Sequence, residues 1–209
     1  EMEKNRIGLF GYYTKNSESN RPKGVIYYVF KGGDGTLLRQ NISDLPPQSV
    51  DKFNRRELGS KSDFNRLKAQ SIHLIQNNHL LLLFEFNWRS MMLIQDQEQK
   101  IYKKPYYNAN EIVILNFNVE NNFENLGIVN KQQTLGINPE VLGFFSTCRQ
   151  NHLFLLFNDH PKNLNRYRPG KVKTMKTRYE PVIVEYFPKG ATYIKQQLST
   201  GKQEMACLK

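Results

Sequence analysis

Apolar residues in this chain fall into short runs separated by polar, turn-forming breaks, and the same order of runs returns along the sequence. Residues 77–86 read NNHLLLLFEF and residues 150–159 read QNHLFLLFND. Aligning Arg6, His79 and His152 sets IGLFGYY, LLLLFEF and LFLLFND in register. A second set of runs, VIYYVF, IVILNF and VIVEYF, aligns from Val25, Ile112 and Val182, and each ends in Phe: Phe30, Phe117 and Phe187. A break follows each of them (KGGDG, NVENN, PKGA), then a further run: TLLRQNI, NLGIVN or TYIKQQL. Ahead of the later two units stand QSIHLI at 70–75 and VLGFFSTC at 141–148. The unit is therefore four short runs, A to D, with tight A–B and C–D breaks and a long B–C connection.

Length and composition of the runs predict strands. They are too short for independent helices and rich in β-branched and aromatic residues. LLLLF and LFLLF do not alternate, and a continuous apolar strand is one covered on both faces. Stacked four-stranded antiparallel meanders are the blades of a β-propeller. The expected fold is accordingly all-β, a partial propeller, with a β-sandwich as the alternative. The expected organisation is one repeat domain over 1–209. It comprises an incomplete blade at 1–42, a linker at 43–69, blades at 70–131 and 141–198, and either a tail or the start of a next blade at 199–209. Because so few blades cannot close a ring, either the protein is longer, or chains associate, or the array is open; the favoured expectation is a longer protein whose remaining blades lie outside this chain. Within the linker, residues 49–68 suggest a helical turn or two capped by Ser49 or Asp51, or else irregular chain.

Charge changes the picture once the strands are placed. The formal net charge is +11 and the pI about 9.6. In a meander the B–C and D–A connections share one end of the sheet. Residues 13–23, 42–69, 87–110, 131–140 and 158–180 form that end, and together they carry the whole of the +11. A basic surface favours anionic partners, and loops at one end of a repeat scaffold are the usual place for ligand contacts. Two stretches combine cations with aromatic rings. One, at 87–107, holds Trp88, Arg89, Lys103, Lys104, Tyr106 and Tyr107. The other, at 165–179, holds Arg166, Tyr167, Arg168, Lys171 and Lys173. Guanidinium and ammonium groups bind phosphate, sulfate and carboxylate, and rings stack on sugars or bases. These eleven residues are the candidate ligand-binding set. The opposing reading has the rings anchoring loops while the cations stay in water.

Other motifs read as architecture. GGDGT (32–36) lacks the spacing of a phosphate loop, and Asp34-Gly35 reads as a type I′ hairpin turn. Asn158, Asp159 and His160 read as a turn after strand B. His79 and His152 read as turn or capping residues. Asp96, Glu98, Asp159 and Glu180 lie at the long-loop end, and a carbohydrate-active enzyme using two such acids is one alternative function; nucleic-acid binding is a second. No catalytic constellation, metal site or cofactor motif is discernible, and Cys148 and Cys207 have no zinc spacing. The longest apolar run, Leu80 to Phe84, is too short for a transmembrane helix.

The NDHPKNL turn (158–164), the Tyr-rich stretch at 106–133 and its Lys-Gln-Gln ending resemble a group of uncharacterised, exported bacterial proteins with propeller-like repeats. The resemblance runs from about Ile7 to Gln197. It implies a periplasmic or cell-surface location and brings no catalytic residues. The expected function is a non-catalytic binding or scaffolding module for an anionic glycan, a surface polymer or a protein.

Overall fold

The computed structural model describes residues 6–14, 22–47, 66–75, 79–136, 141–166, 172–175 and 179–198. The expected helical turn at 49–68 and the tail at 199–209 lie outside these, apart from 66–68.

The described chain is all-β, built as three antiparallel sheets, none of them closed. The first is β1 (Arg6–Thr14), β2 (Pro22–Lys31) and β3 (Leu37–Asp44). The second is β4 (Leu67–Leu74), β5 (Leu80–Gln95), β6 (Ile101–Phe117) and β7 (Phe123–Val129), with the short β8 (Gln133–Leu135) added to β6. The third is β9 (Phe145–Arg149), β10 (His152–Asp159), β11 (Glu180–Phe187) and β12 (Thr192–Gln197). Neighbours in sequence are neighbours in each sheet, so every one is a meander, as the order of runs requires.

The second sheet lies between the other two. On one face Leu80, Leu82, Phe84, Val113, Leu115 and Phe117 meet Val25, Tyr27 and Val29 of the first sheet. On the other, Leu81, Leu83, Ile112 and Ile114 meet Leu153, Leu155, Phe157, Val182, Val184 and Tyr186 of the third. This is why the β5 run is apolar without alternation: both of its faces are core. Burying one such side chain is worth about 1.5–3 kcal/mol, and the middle sheet collects that on two sides. Along one edge of the stack the first described strand of each sheet lies beside the next, the B-run strand β1 next to β4 and the A-run strand β4 next to the A-run strand β9. Hydroxyls of Ser71 and Ser146 meet there at 2.8 Å, and His73 Nε2 lies 2.8 Å from the same Ser146 oxygen.

Three expectations need correction. Leu80 stands opposite Phe117, whereas Leu153 stands opposite Tyr186. Phe117 therefore corresponds to Tyr186, not Phe187, and the third copy of the C run was aligned one residue out. A one-residue slip exchanges faces; the true register is what turns Val182, Val184 and Tyr186 into the core. Second, the stretch at 87–107 is not a loop. The strands β5 and β6 continue as a paired hairpin from Asn87–Ala109 out to Gln95–Ile101. Third, the GGDGT hairpin closes with Lys31 N donating to Thr36 O, leaving four residues in the loop. Its left-handed positions are Gly33 and Gly35, not Asp34, so it is not a two-residue type I′ turn.

Candidate functional site

The hairpin arm carries six of the eleven candidate residues, and its base is where the chemistry collects. Arg89 and Tyr107 are cross-strand partners, and the guanidinium lies over the ring at 5.9 Å from its centroid. Trp88 faces the core shared by the first two sheets, and Arg66 covers its ring at 4.8 Å. That ring anchors the arm. Lys103 is exposed, while Lys104, Tyr106 and Tyr107 are half-buried. Beyond them Met91, Met92, Leu93, Ile101 and Tyr102 stand in solvent. At the tip, Asp96 accepts hydrogen bonds from the backbone N–H groups of Glu98 and Lys100 at 2.9 Å each, and Glu98 pairs with Lys100. Both acids are thus turn-forming.

Strand β8 joins this arm to the second basic stretch. Leu135 lies opposite Tyr107 and Gln133 opposite Ala109. On its other side Gln133 bridges in parallel to Met175, with Met175 N donating to Gln132 O at 2.7 Å and Thr134 N to Met175 O at 3.0 Å. Two residues before Met175, Lys173 is exposed, its backbone pinned at both polar atoms by the Asn163 side chain. Arg166 is half-buried near the same turn. The base of the arm, strand β8 and the segment of Met175 thus form one hydrogen-bonded surface, on which Tyr106 and Tyr107 point to opposite faces, Tyr106 beside Lys104 and Tyr107 beside Arg89. Tyr167, Arg168 and Lys171 lie outside the described residues.

Beneath that surface sits a feature the sequence reading missed. Two ion pairs are buried between the second and third sheets: Glu85 with Lys131, and Asp159 with Lys195. Lys131 also donates to Gln133 Oε1 at 2.8 Å and to Gly143 O at 3.3 Å. Asp159 accepts from Lys195, from Asn163 Nδ2 at 2.7 Å and from His160 N at 2.8 Å. Both ammonium groups lie over the Phe157 ring, at 5.6 Å and 5.5 Å. Burial pushes Lys131 below the ordinary lysine range, and the carboxylates of Glu85, Asp159 and Glu111 oppose that shift. The signal was present as the twice-written Lys-Gln-Gln at 131–133 and 195–197, but composition gives no reason to bury a lysine.

These pairs show what the proposed acid Asp159 does, and Glu85 with it. Glu85 and Asp159 are each saturated by a lysine and amides, so neither is turned to a substrate; NDHP is the turn it was read to be, with His160 Nδ1 capping the 3-10 turn Pro161–Asn163. Glu180 stands opposite Asp159 across the β10–β11 ladder. At the far end His79 pairs with Glu124 and His152 with Glu185, at 3.2 Å and 2.6 Å, matching roles at matching positions. Cys148 is largely buried, which pushes its thiol up to about 12; Cys207 lies outside the described residues. Among the described residues no cluster of His, Cys, Asp and Glu could hold a metal ion, and no helix is long and apolar enough to cross a membrane.

Comparison of the chain with protein-family models, with curated proteins and with solved structures found no match in any of the three.

Proposed function

We propose that this chain is a binding and scaffolding module, an arc of propeller blades that takes an acidic polymer on its long-loop end. The observation that carries the reading is the junction at β8, which ties the base of the arm at Tyr107 on one side to the segment of Lys173 and Met175 on the other. Rings and cations on one surface suit a chain of anionic sugars, the rings stacking on sugar faces and the cations meeting sulfate or carboxylate. The contact of β4 with β9, the leading strands of successive units, supports the blade reading, since blades arranged around a central channel bring equivalent strands together there. An exported setting rests on the resemblance alone.

The test is binding to a sulfated or uronic-acid polysaccharide at low and moderate salt. Binding should weaken as salt rises, because exposed charges are screened over about 10 Å at 0.1 M. Replacing Arg89, Lys103, Lys104 and Lys173 together by Gln should reduce affinity about a hundredfold, at roughly 0.5–1 kcal/mol for each exposed contact. Absence of binding at either salt would sink the reading, and so would binding indifferent to these substitutions.

A further inference from the structure

The two outer sheets each present one covered and one uncovered face, and the repeat says what kind of surface each uncovered face accepts. Within the chain, the face bearing Leu80 and Leu82 always receives the preceding sheet, and the face bearing Leu81 and Leu83 receives the following one. Leu9 corresponds to Leu82, and Leu156 to Leu83, in the aligned B runs. Leu82 and Leu83 are both 0% exposed, but Leu9 is 56% exposed and Leu156 is half-buried. Ile7 and Ile42 share the open face of the first sheet with Leu9, Ile26 and Tyr28. Phe145 and Ile194 share the open face of the third with Phe154, Leu156 and Ile183. Apolar patches of this extent mark interaction surfaces.

We infer that a second copy of this chain covers both open faces, the third sheet of each copy packing on the first sheet of the other, so that two copies close a ring of six sheets. This rests on the blade reading above. Among the described residues, the one uncovered surface of the kind that follows Leu156 is the Leu9 face of the first sheet. A pairing of like faces would repeat no contact found within the chain. Size favours closure as well. Three strands about 4.8 Å apart and some 25 Å long present about 350 Å² per face. A single junction therefore buries only about 700 Å², whereas two junctions bury about 1,400 Å², the range of a stable interface. Six sheets also fall within the four to eight blades that close a propeller. The contact is head-to-tail, so it either closes or grows.

Sedimentation across a concentration series tests this with the chain as it stands. The expected species has twice the 24.6 kDa chain mass and does not grow further. Ile42→Glu on one face and Ile194→Glu on the other should each weaken dimerisation by roughly a thousandfold, since each change removes an interface anchor from both junctions at about thirtyfold apiece. Both positions are exposed in the single chain, so the unfolding midpoint of the monomer should not move. Mixing the two variants should not recover the wild-type affinity, because one junction is then intact while the other carries both glutamates, and one junction alone is too small. A wild-type chain that stays monomeric overturns the inference, as does a variant that dimerises as tightly as the wild type, a mixture that recovers the wild-type affinity, or growth beyond the dimer. Small-angle scattering separates the two readings. A monomer that keeps an arc of three sheets leaves the blades standing and removes the second copy; a profile without that arc removes both.

Discussion

The strands β5 and β10 carry nearly the same words, LLLLF and LFLLF, and live in different surroundings. Every residue from Leu80 to Phe86 is buried. In β10, Leu153, Leu155 and Phe157 are buried while Phe154 and Leu156 are half-open. The strand chemistry is the same; the number of neighbouring sheets is not. A non-alternating apolar strand declares what it is built to meet, and its burial in a given chain reports whether that neighbour is present. In β5 both are, and in β10 only one is.

The sharpest way to break the comparison is at the charges that both strands hold beneath their ends. Lys131→Met leaves the Glu85 carboxylate buried without its cation and should cost about 3–5 kcal/mol in urea unfolding. The double change Lys131→Met with Glu85→Leu should return most of that loss, because replacing both members of a buried pair by apolar groups is often neutral. Equal losses in the single and double variants would mean that the pair holds nothing.

Next comes the direct contrast. Leu83→Ala empties a site closed on all sides and should cost about 2–5 kcal/mol, while Leu156→Ala at the matched position in the chain alone should cost less than about 1.5 kcal/mol. If the second copy covers β10, the difference should shrink in the dimer. Equal costs at every protein concentration would show that the open face is not open.

Gly127→Ala probes the junction from the other side. A Cβ there would lie 2.3 Å from the Tyr186 hydroxyl, so that ring must shift, at about 1–3 kcal/mol. Gly11 has nothing within 4 Å of an added Cβ, and Gly11→Ala should lack that clash.

A smaller effect belongs to the edge where the leading strands meet. Burial holds His73 below its ordinary value of 6.5. The unfolded chain therefore binds the proton more readily, so the His73 contribution is complete above about pH 6.5 and is lost as pH falls through the lowered folded value. His73→Gln should flatten the acid limb of the stability profile; an unchanged slope would remove His73 from the account. Smallest of all, Met92→Ser on the exposed arm should stay within about 0.5 kcal/mol.

Much of this was legible before any coordinates. The order A to D fixed which strands pair, because tight breaks at RQNH and NVENN leave antiparallel neighbours as the economical solution. Gln150 and Asn151 form a two-residue turn between paired Arg149 and His152, and Asn118 accepts from the backbone of Glu120 and Asn122 in the next. What escaped had physical reasons. The arm reads as a loop because its exposed residues, Arg89 to Lys104, have lost the core that makes a strand recognisable; only cross-strand pairing declares it. The third C run slipped because VIVEYF supports two registers that differ by one residue, and only packing selects between them.

The sequence by itself determined the class of fold, the meander order and the two-faced middle sheet, since local period and turn chemistry are written residue by residue. Tertiary structure alone decided that Lys131 and Lys195 go inside, that β8 ties the arm to the segment of Met175, and that Leu9 and Leu156 stay uncovered. Each of those depends on segments far apart in the chain meeting in space, and a contact between distant segments leaves no period to read.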